Sequence, residues 1–194
     1  MPVPQDYSLE RLADRAQIQD VMYRWCRAVD RLDFDGIRTI FHPDAIDAHG
    51  MYHGPVNGLI DWIKERHENI PFSMHMLGNM LIDFAAPDTA LVETYVFVIQ
   101  RYPAEGTNSL VQFSGGVEAK AGAAVDLMAC ARYVDRFERR DGEWRIGHRT
   151  VVYDSTMMYE VSEMAPKMRP EFTVGTRDKS DHIYKARAQV GLRN

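Results

Sequence analysis

The chain has 194 residues, of which 45% are hydrophobic and 26% are charged. This length suits one domain with at most a tail, and the composition allows a substantial core. The net charge is −5 and no basic stripe is present, which argues against a nucleic-acid partner. No apolar run approaches the ~18 residues of a membrane span, so no membrane partner is expected.

The amino terminus and the cysteines favour a cytoplasmic protein. The opening MPVPQDYSLE lacks the basic and apolar segments of a signal peptide. Cys26 and Cys130 are the only cysteines, too few for a disulfide framework or a CxxC zinc site. The sequence contains no HExxH motif, GxGxxG loop or Walker loop. We therefore expect neither a metal nor a cofactor.

The first half of the chain predicts three helices and a hairpin. Apolar residues recur on one stripe over Asp14 to Leu32, which predicts the first helix. A short second helix is expected over Asp33 to Phe41. Residues 45–53 alternate as in a short hairpin, and a third helix follows Pro55 and ends near His67.

The second half has the composition of long strands. Residues rich in Val, Ile, Tyr and Phe predict the strands Phe72–Phe84, Leu91–Tyr102, Val125–Phe137 and Trp144–Tyr153. Asp141-Gly142 predicts a hairpin, because both residues tolerate positive φ. Helices followed by antiparallel strands indicate an α+β domain with its helices on one face of a curved sheet. We expect a long loop over Tyr102 to Gly122, and an extended arm over 164–194 beyond a domain of residues 1–163.

Two side chains are placed where chemistry is expected. Asp30 lies in the last turn of the first helix, where a carboxylate is electrostatically unfavourable and holding an imidazole would compensate. His75 lies in the middle of a strand whose even positions are apolar and whose odd positions are mixed, as a pocket wall requires. The segment His49 to His53 can present two imidazoles near a pocket mouth, although we expect both to be surface exposed.

Three segments resemble the SnoaL-like branch of the NTF2-like superfamily. They are the helix ending in aspartate, the strand with a central histidine and the last hairpin: IQDVMYRWCRAVDRLDFDGIRTIF, FSMHMLGN and ARYVDRFERRDGEWRIGHRTVVYD. The resemblance covers roughly Leu9 to Tyr159. It implies a cone-shaped, cystatin-like α+β domain closed around an apolar pocket.

Within this superfamily the chain is similar to cofactor-free lyases, namely hexachlorocyclohexane dehydrochlorinases, scytalone dehydratases and bile-acid 7α-dehydratases. Their histidine–aspartate pair matches His75 and Asp30, and an arginine in the last strand matches Arg149. The resemblance implies a dehydratase-like elimination on a hydrophobic cyclic substrate. His75 would be the base, Asp30 would orient it, and Arg149 would stabilise developing negative charge. Candidate substrate-binding residues are Trp25, Tyr95, Phe97 and Tyr133 for the apolar wall, with Tyr23 and Tyr52 as hydroxyl donors.

Other functions remain open on the sequence. An isomerase of the ketosteroid type would move the same kind of proton without expelling a group. A non-catalytic ligand-binding protein, or the small subunit of a ring-hydroxylating oxygenase, would share the fold. Apolar residues on both faces of the predicted strands also favour a homo-oligomer, a dimer or a trimer. Its contacts would use the outer sheet face and the 164–194 arm.

Overall fold

The computed structural model describes residues 7–106, 109–111, 123–162 and 168–192. The longer helices are α1 (Leu9–Asp30), α2 (Phe34–Ile40), α3 (Val56–His67) and α4 (His182–Gln189). The strands are β1 (Phe41–His49), β2 (Tyr52–Pro55), β3 (Phe72–Ala86), β4 (Thr89–Tyr102), β5 (Val125–Arg140) and β6 (Glu143–Glu160). Among the described helices, none has the length and apolar character to cross a membrane.

The strands form a six-stranded mixed sheet in the order β2-β1-β6-β5-β4-β3. β1 and β6 run parallel, whereas the other neighbouring strands run antiparallel. Helices α1, α2 and α3 pack on one face of the curved sheet, and their apolar stripes join the inward-facing strand residues in a large core. The predicted α+β architecture is confirmed.

Helix α1 begins earlier than the apolar stripe predicted. The side chain of Ser8 accepts a hydrogen bond from the backbone N–H of Arg11, so the helix starts at Leu9 rather than near Asp14. Asp14 is buried instead and accepts a hydrogen bond of 2.8 Å from Nε1 of Trp144. This buried contact ties the first helix to the β5–β6 hairpin.

The predicted hairpin between the last two strands is present. Asp141 and Gly142 have φ angles of 53° and 82°, which is the left-handed conformation expected for a tight turn. Both strands of this hairpin are longer than predicted, because β5 continues to Arg140 and β6 to Glu160. Most of the predicted loop from Tyr102 to Gly122 lies outside the described residues.

The carboxyl-terminal segment packs back onto the end of α1. The segment expected to be an extended arm contains α4, and Tyr184 of this helix is buried. The guanidinium of Arg177 donates to the backbone carbonyls of Val29 and Asp30, at the end of α1. The expected boundary near residue 163 lies outside the described residues, so the division into domain and arm stays a prediction.

Candidate active site

Asp30 and His75 meet where the end of α1 packs against β3. Nδ1 of His75 lies 2.7 Å from Oδ1 of Asp30, and the two side chains are 7% and 9% exposed, respectively. The backbone N–H of His75 donates to Oδ2 of Asp30 at 2.9 Å, and Oγ of Ser73 donates to Oδ1 at 3.1 Å. These three contacts hold the carboxylate in one orientation. Because a carboxylate only accepts, Nδ1 of His75 carries the hydrogen and Nε2 is left with the lone pair.

A bulge in β3 decides which side chains face inward. The pairing of β3 with β4 shifts between Leu77 and Met80. Before the shift the odd positions face the interior, so Ser73 is buried and His75 half-buried. After the shift the even positions face inward, so Ile82 is buried. The bulge therefore places the polar residues of β3 next to Asp30 and still supplies apolar side chains to the core.

His75 lines a small interior cavity between the helices and the sheet. The cavity volume is ≈ 30 Å³. Its wall is mostly apolar with a few polar side chains: His49, Arg66, His75, Val96, Val98, Gln100, Leu127, Ala129, Ala131, Tyr133, Val151 and Tyr153. A proton acceptor on His75 thus lies beside an apolar space.

A buried polar chain connects this cavity to Asp30. Nη2 of Arg66 donates to Oε1 of Gln100 at 2.8 Å and also contacts the hydroxyl of Tyr102. Nε2 of Gln100 donates to Oγ of Ser73 at 3.3 Å, and Ser73 donates to Asp30. The sequence analysis did not select Arg66. The available signal was its place on the buried stripe of α3, seven residues after Leu59, where a cation needs partners.

His67 lies at the base of this chain between two arginines. Nε2 of His67 is 2.7 Å from Nη1 of Arg66, and Nδ1 is 2.9 Å from Nη2 of Arg177. Burial, followed by repulsion from Arg66 and Arg177, lowers the pKa of His67 well below its usual value of 6.5. A neutral imidazole has one lone pair, so it accepts a hydrogen bond from one of the two guanidinium groups, whereas a protonated ring accepts none. His67 therefore packs between the buried arginines as a neutral ring.

Arg149 is fully buried behind the cavity wall. Its Nε and Nη2 atoms donate to both carboxylate oxygens of Asp135, at 2.8 and 2.7 Å. The guanidinium packs over the rings of Tyr133, Trp25 and Phe41, with centroid distances of 4.1, 4.7 and 5.5 Å. Burial opposes its charge, but the adjoining Asp135 carboxylate raises the pKa of Arg149. The structure thus places Arg149 in a buried ion pair, one layer behind the residues that line the cavity.

Two of the predicted aromatic wall residues lie at or behind the cavity. Tyr133 lines it directly, and burial raises the pKa of its phenol. Trp25 is 0% exposed and packs edge-on against Tyr133 and Phe41. Trp25 therefore belongs to the core that supports the wall.

The other four predicted substrate-binding residues lie away from the cavity. Even-numbered residues of β4 face inward, so Tyr95 and Phe97 point to the outer face of the sheet. Tyr23 is 57% exposed on α1. The ring of Tyr52 stacks on Trp62, and its hydroxyl donates to the carbonyl of Pro55. None of these four side chains lines the cavity. For Tyr95 and Phe97, hydrophobicity alone could not distinguish the two faces of the strand, because both faces are apolar.

The described side chains offer no evident metal site. Within residues 7–106, 109–111, 123–162 and 168–192, no three His, Cys, Asp or Glu side chains cluster as metal ligands.

Cys26 lies near Asp30, and burial, followed by the Asp30 charge, raises the pKa of this thiol to about 12. A thiol in that environment stays protonated and does not act as a nucleophile.

Comparison with known proteins identifies the family. A family model for the SnoaL-like domain matches residues 10–150. The chain therefore belongs to the SnoaL-like family, within the NTF2-like superfamily.

The relatives found by sequence include a known lyase. An uncharacterized protein of Mycobacterium tuberculosis is 33% identical over 78 residues, which are 39% of this chain and 53% of the relative. The chain thus spans about half the length of that protein. Gamma-hexachlorocyclohexane dehydrochlorinase of Sphingobium indicum is 28% identical over 149 residues, 73% of this chain and 81% of the enzyme.

Solved structures share the fold. A protein of Novosphingobium aromaticivorans, provisionally assigned as a scytalone dehydratase, superposes with a TM-score of 0.62 at 19% identity. The superposition covers 84% of this chain and 98% of that protein. At this level of identity the similarity shows a common fold.

Proposed function

We propose that the protein is a cofactor-independent lyase that carries out a dehydratase-like elimination on a hydrophobic cyclic small molecule. The carrying observation is the contact between His75 and Asp30 beside an apolar cavity. A neutral imidazole is a suitable base near pH 7, and a fixed carboxylate sets its tautomer and stabilises the imidazolium that forms. Asp30 does not need to take the proton itself.

The proposed step removes a proton next to a carbonyl and expels a group from the neighbouring carbon. Nε2 of His75 accepts the proton, and the electrons of the broken C–H bond form the double bond as the leaving group departs. Val96, Val98 and Leu127 line the same cavity and suit an apolar ring. The sequence relative from Sphingobium indicum is named for an elimination of the same general type.

Arg66 is the better candidate for stabilising developing negative charge. Arg66 lines the cavity, whereas Arg149 is committed to Asp135 behind it. A guanidinium held by Gln100 is pre-oriented, so it can stabilise an enolate oxygen at little reorganisation cost. In this proposal Arg149 does not contact the substrate, and it supports the cavity wall by packing against the ring of Tyr133.

Binding of a ring requires the cavity to widen. Sites that hold a small-molecule ligand have volumes of roughly 300–1,000 Å³, so a cavity of ≈ 30 Å³ is too small for a ring. Tyr153 is the exposed residue of the cavity wall, at 37% exposure. Its ring lies 3.4 Å from the position that a Cβ would occupy on Gly50, in the β1–β2 turn. We propose that Tyr153 and this turn move outward to admit the substrate.

We also propose that the protein assembles as a dimer or trimer through the outer face of the sheet. That face is not covered by α1, α2 or α3, and it carries exposed apolar side chains such as Met76 and Tyr95. Exposed apolar patches of this kind mark protein interfaces.

Variants of the histidine–aspartate pair test the elimination. A panel of cyclic β-hydroxy and β-chloro ketones would be incubated with the wild type, His75→Ala and Asp30→Asn, following substrate loss together with thermal melting. We expect His75→Ala to abolish turnover while the protein remains folded. Asp30→Asn keeps the shape but misorients the imidazole, so kcat should fall by about 10³–10⁴ with little change in KM.

His53→Gln provides the matched control, because this exposed histidine lies on β2 away from the pair. The control should retain the wild-type rate. A folded His75→Ala protein that turns over the panel at the wild-type rate would show that His75 is not the base. A product with a shifted double bond and no lost group would instead identify an isomerase.

A further inference from the structure

A second imidazole–carboxylate pair borders the same cavity. Asp47 and His49 are two residues apart on β1, so both side chains point to the same, inner face. Nδ1 of His49 lies 3.3 Å from Oδ1 of Asp47, within ion-pair distance. His49 lines the cavity together with His75. The cavity therefore has two imidazoles, each next to its own carboxylate.

Asp47 is a buried carboxylate beside His49. Asp47 is 0% exposed, and its two carboxylate oxygens have no hydrogen bond among the described residues. Its strand neighbour Arg149 is already bound by Asp135 through both oxygens. A buried carboxylate in this position needs a polar partner, and the nearby imidazole of His49 can serve as one.

We propose that His49 is the general acid that protonates the leaving group, and that the substrate class is therefore cyclic compounds whose leaving group is a hydroxyl. This inference rests on the elimination proposed above. Hydroxide leaves poorly unless it receives a proton as the C–O bond breaks, whereas chloride leaves as the anion. An acid opposite the base is thus needed for loss of water but not for loss of chloride.

The proposed reaction converts a cyclic β-hydroxy compound to an alkene and water. His75 takes the proton from carbon, and the C–H electrons form the C=C bond. The C–O bond breaks, its electrons pass to oxygen, and His49 gives that oxygen a proton, so that water is released. His75 then loses its proton to solvent and His49 regains one, which restores both rings. The reaction needs no oxidant or reductant.

The other groups around His49 are compatible with this role. The ring of Trp62 lies 5.5 Å from the imidazole, centroid to centroid, and Tyr153 forms part of the same wall. Arg66 also lines the cavity and opposes a positive charge there, but its guanidinium is held by Gln100 and Tyr102. Asp47 is the acidic side chain in direct contact with His49.

Two substrates that differ only in the leaving group distinguish the proposed role of His49 from that of His75. The probes are a cyclic β-hydroxy ketone and the β-chloro ketone with the same ring. For His49→Gln and Asp47→Asn we expect kcat on the hydroxy probe to fall by about 10²–10⁴. On the chloro probe kcat should fall far less than on the hydroxy probe, because chloride leaves without a proton. The high-pH limb of the rate profile on the hydroxy probe should disappear in His49→Gln, because the acid that must be protonated is gone.

Each outcome has a distinct meaning. Equal losses on both probes, or an unchanged rate on the hydroxy probe in folded His49→Gln, would overturn the acid role. Turnover that survives His75→Ala would instead overturn the proposed elimination. The ¹⁵N signals of the His49 ring test the pairing without a substrate. We expect the Nδ1 signal to change in Asp47→Asn, and identical signals in the wild type and Asp47→Asn would contradict the pairing.

Discussion

His67 makes the stability of the fold depend on pH. In the folded protein its pKa lies well below 6.5, because the ring is buried between Arg66 and Arg177. The unfolded chain therefore binds a proton below about pH 6.5 that the folded protein does not bind. The contribution of His67 to the unfolding free energy is therefore fully present above about pH 6.5 and is lost as the pH falls below this value. The slope from this residue is at most about 1.4 kcal/mol per pH unit.

Urea unfolding at pH 7.5 and pH 5.5 measures this effect. We expect His67→Gln to lose less stability between the two values than the wild type, by about 1 kcal/mol or more. His53→Gln is the control, since this histidine is exposed, and it should follow the wild type. The same pH dependence in His67→Gln and in the wild type would show that another group is responsible.

Single residues were predictable from sequence where one element showed the anomaly. Asp30 was selected because a carboxylate is unfavourable in the last turn of a helix, and His75 because it lies in the middle of a strand on a face of mixed polar and apolar residues. The role of Arg66 depends on a contact between α3 and β4, which no local pattern contains. His49 and Asp47 lie on one strand, but the burial of His49 beside the cavity depends on packing, and the sequence analysis expected it to be exposed. Arg149 was found by resemblance, but its burial with Asp135 depends on the register between β5 and β6.

At the scale of elements, strand faces were the least predictable feature. The uninterrupted alternation of 72–84 predicted one apolar face, yet the bulge after Leu77 moves it from the outside to the inside of the sheet. Met74 and Met76 are consequently exposed, while Ile82 is buried. Strand existence and the Asp141-Gly142 turn were predictable, because residue propensity and turn chemistry act locally.

The carboxyl-terminal segment should support the active site through one side chain. The guanidinium of Arg177 donates to the backbone carbonyls of Val29, Asp30 and Ile70, at 3.2, 3.1 and 2.8 Å. Burial lowers its pKa to about 10, which leaves it charged at neutral pH. These contacts fix the last turn of α1 and, with it, the carboxylate that orients His75.

Replacement of Arg177 by methionine tests this support. Arg177→Met removes a donor from three backbone carbonyls, so we expect a loss of about 1–3 kcal/mol in unfolding free energy. Faster hydrogen exchange in the last turn of α1 and a lower kcat should accompany it. Arg169→Met is the control, because this arginine is exposed and makes a single ion-pair contact of 3.9 Å with Glu171. Unchanged exchange in α1 would separate the segment from the site.

At the scale of the whole molecule, the two faces of the sheet differ in what covers them. The inner face is covered by α1, α2 and α3, and the described part of the carboxyl-terminal segment packs at the end of α1. The outer face keeps a groove of ≈ 630 Å³ and a set of large exposed apolar side chains: Met74, Met76, Leu81, Leu91, Tyr95, Met157 and Tyr159. Ion pairs on the same face, such as Arg132 with Glu93 and Asp154, supply polar contacts around them.

This outer face should hold two or three copies of the chain together. Burial of its apolar side chains against a second copy stabilises assembly by roughly 25 cal/mol for each Å² removed from water. We therefore expect light scattering at micromolar concentration to give two or three times the monomer mass of 22.3 kDa. Met76→Glu and Tyr95→Glu place charges in the centre of the face and should give monomers. Tyr23→Glu, which changes an exposed tyrosine on α1, should leave the assembly intact. A wild-type mass of 22.3 kDa would contradict the assembly, and dissociation by Tyr23→Glu alone would place the interface on the helices.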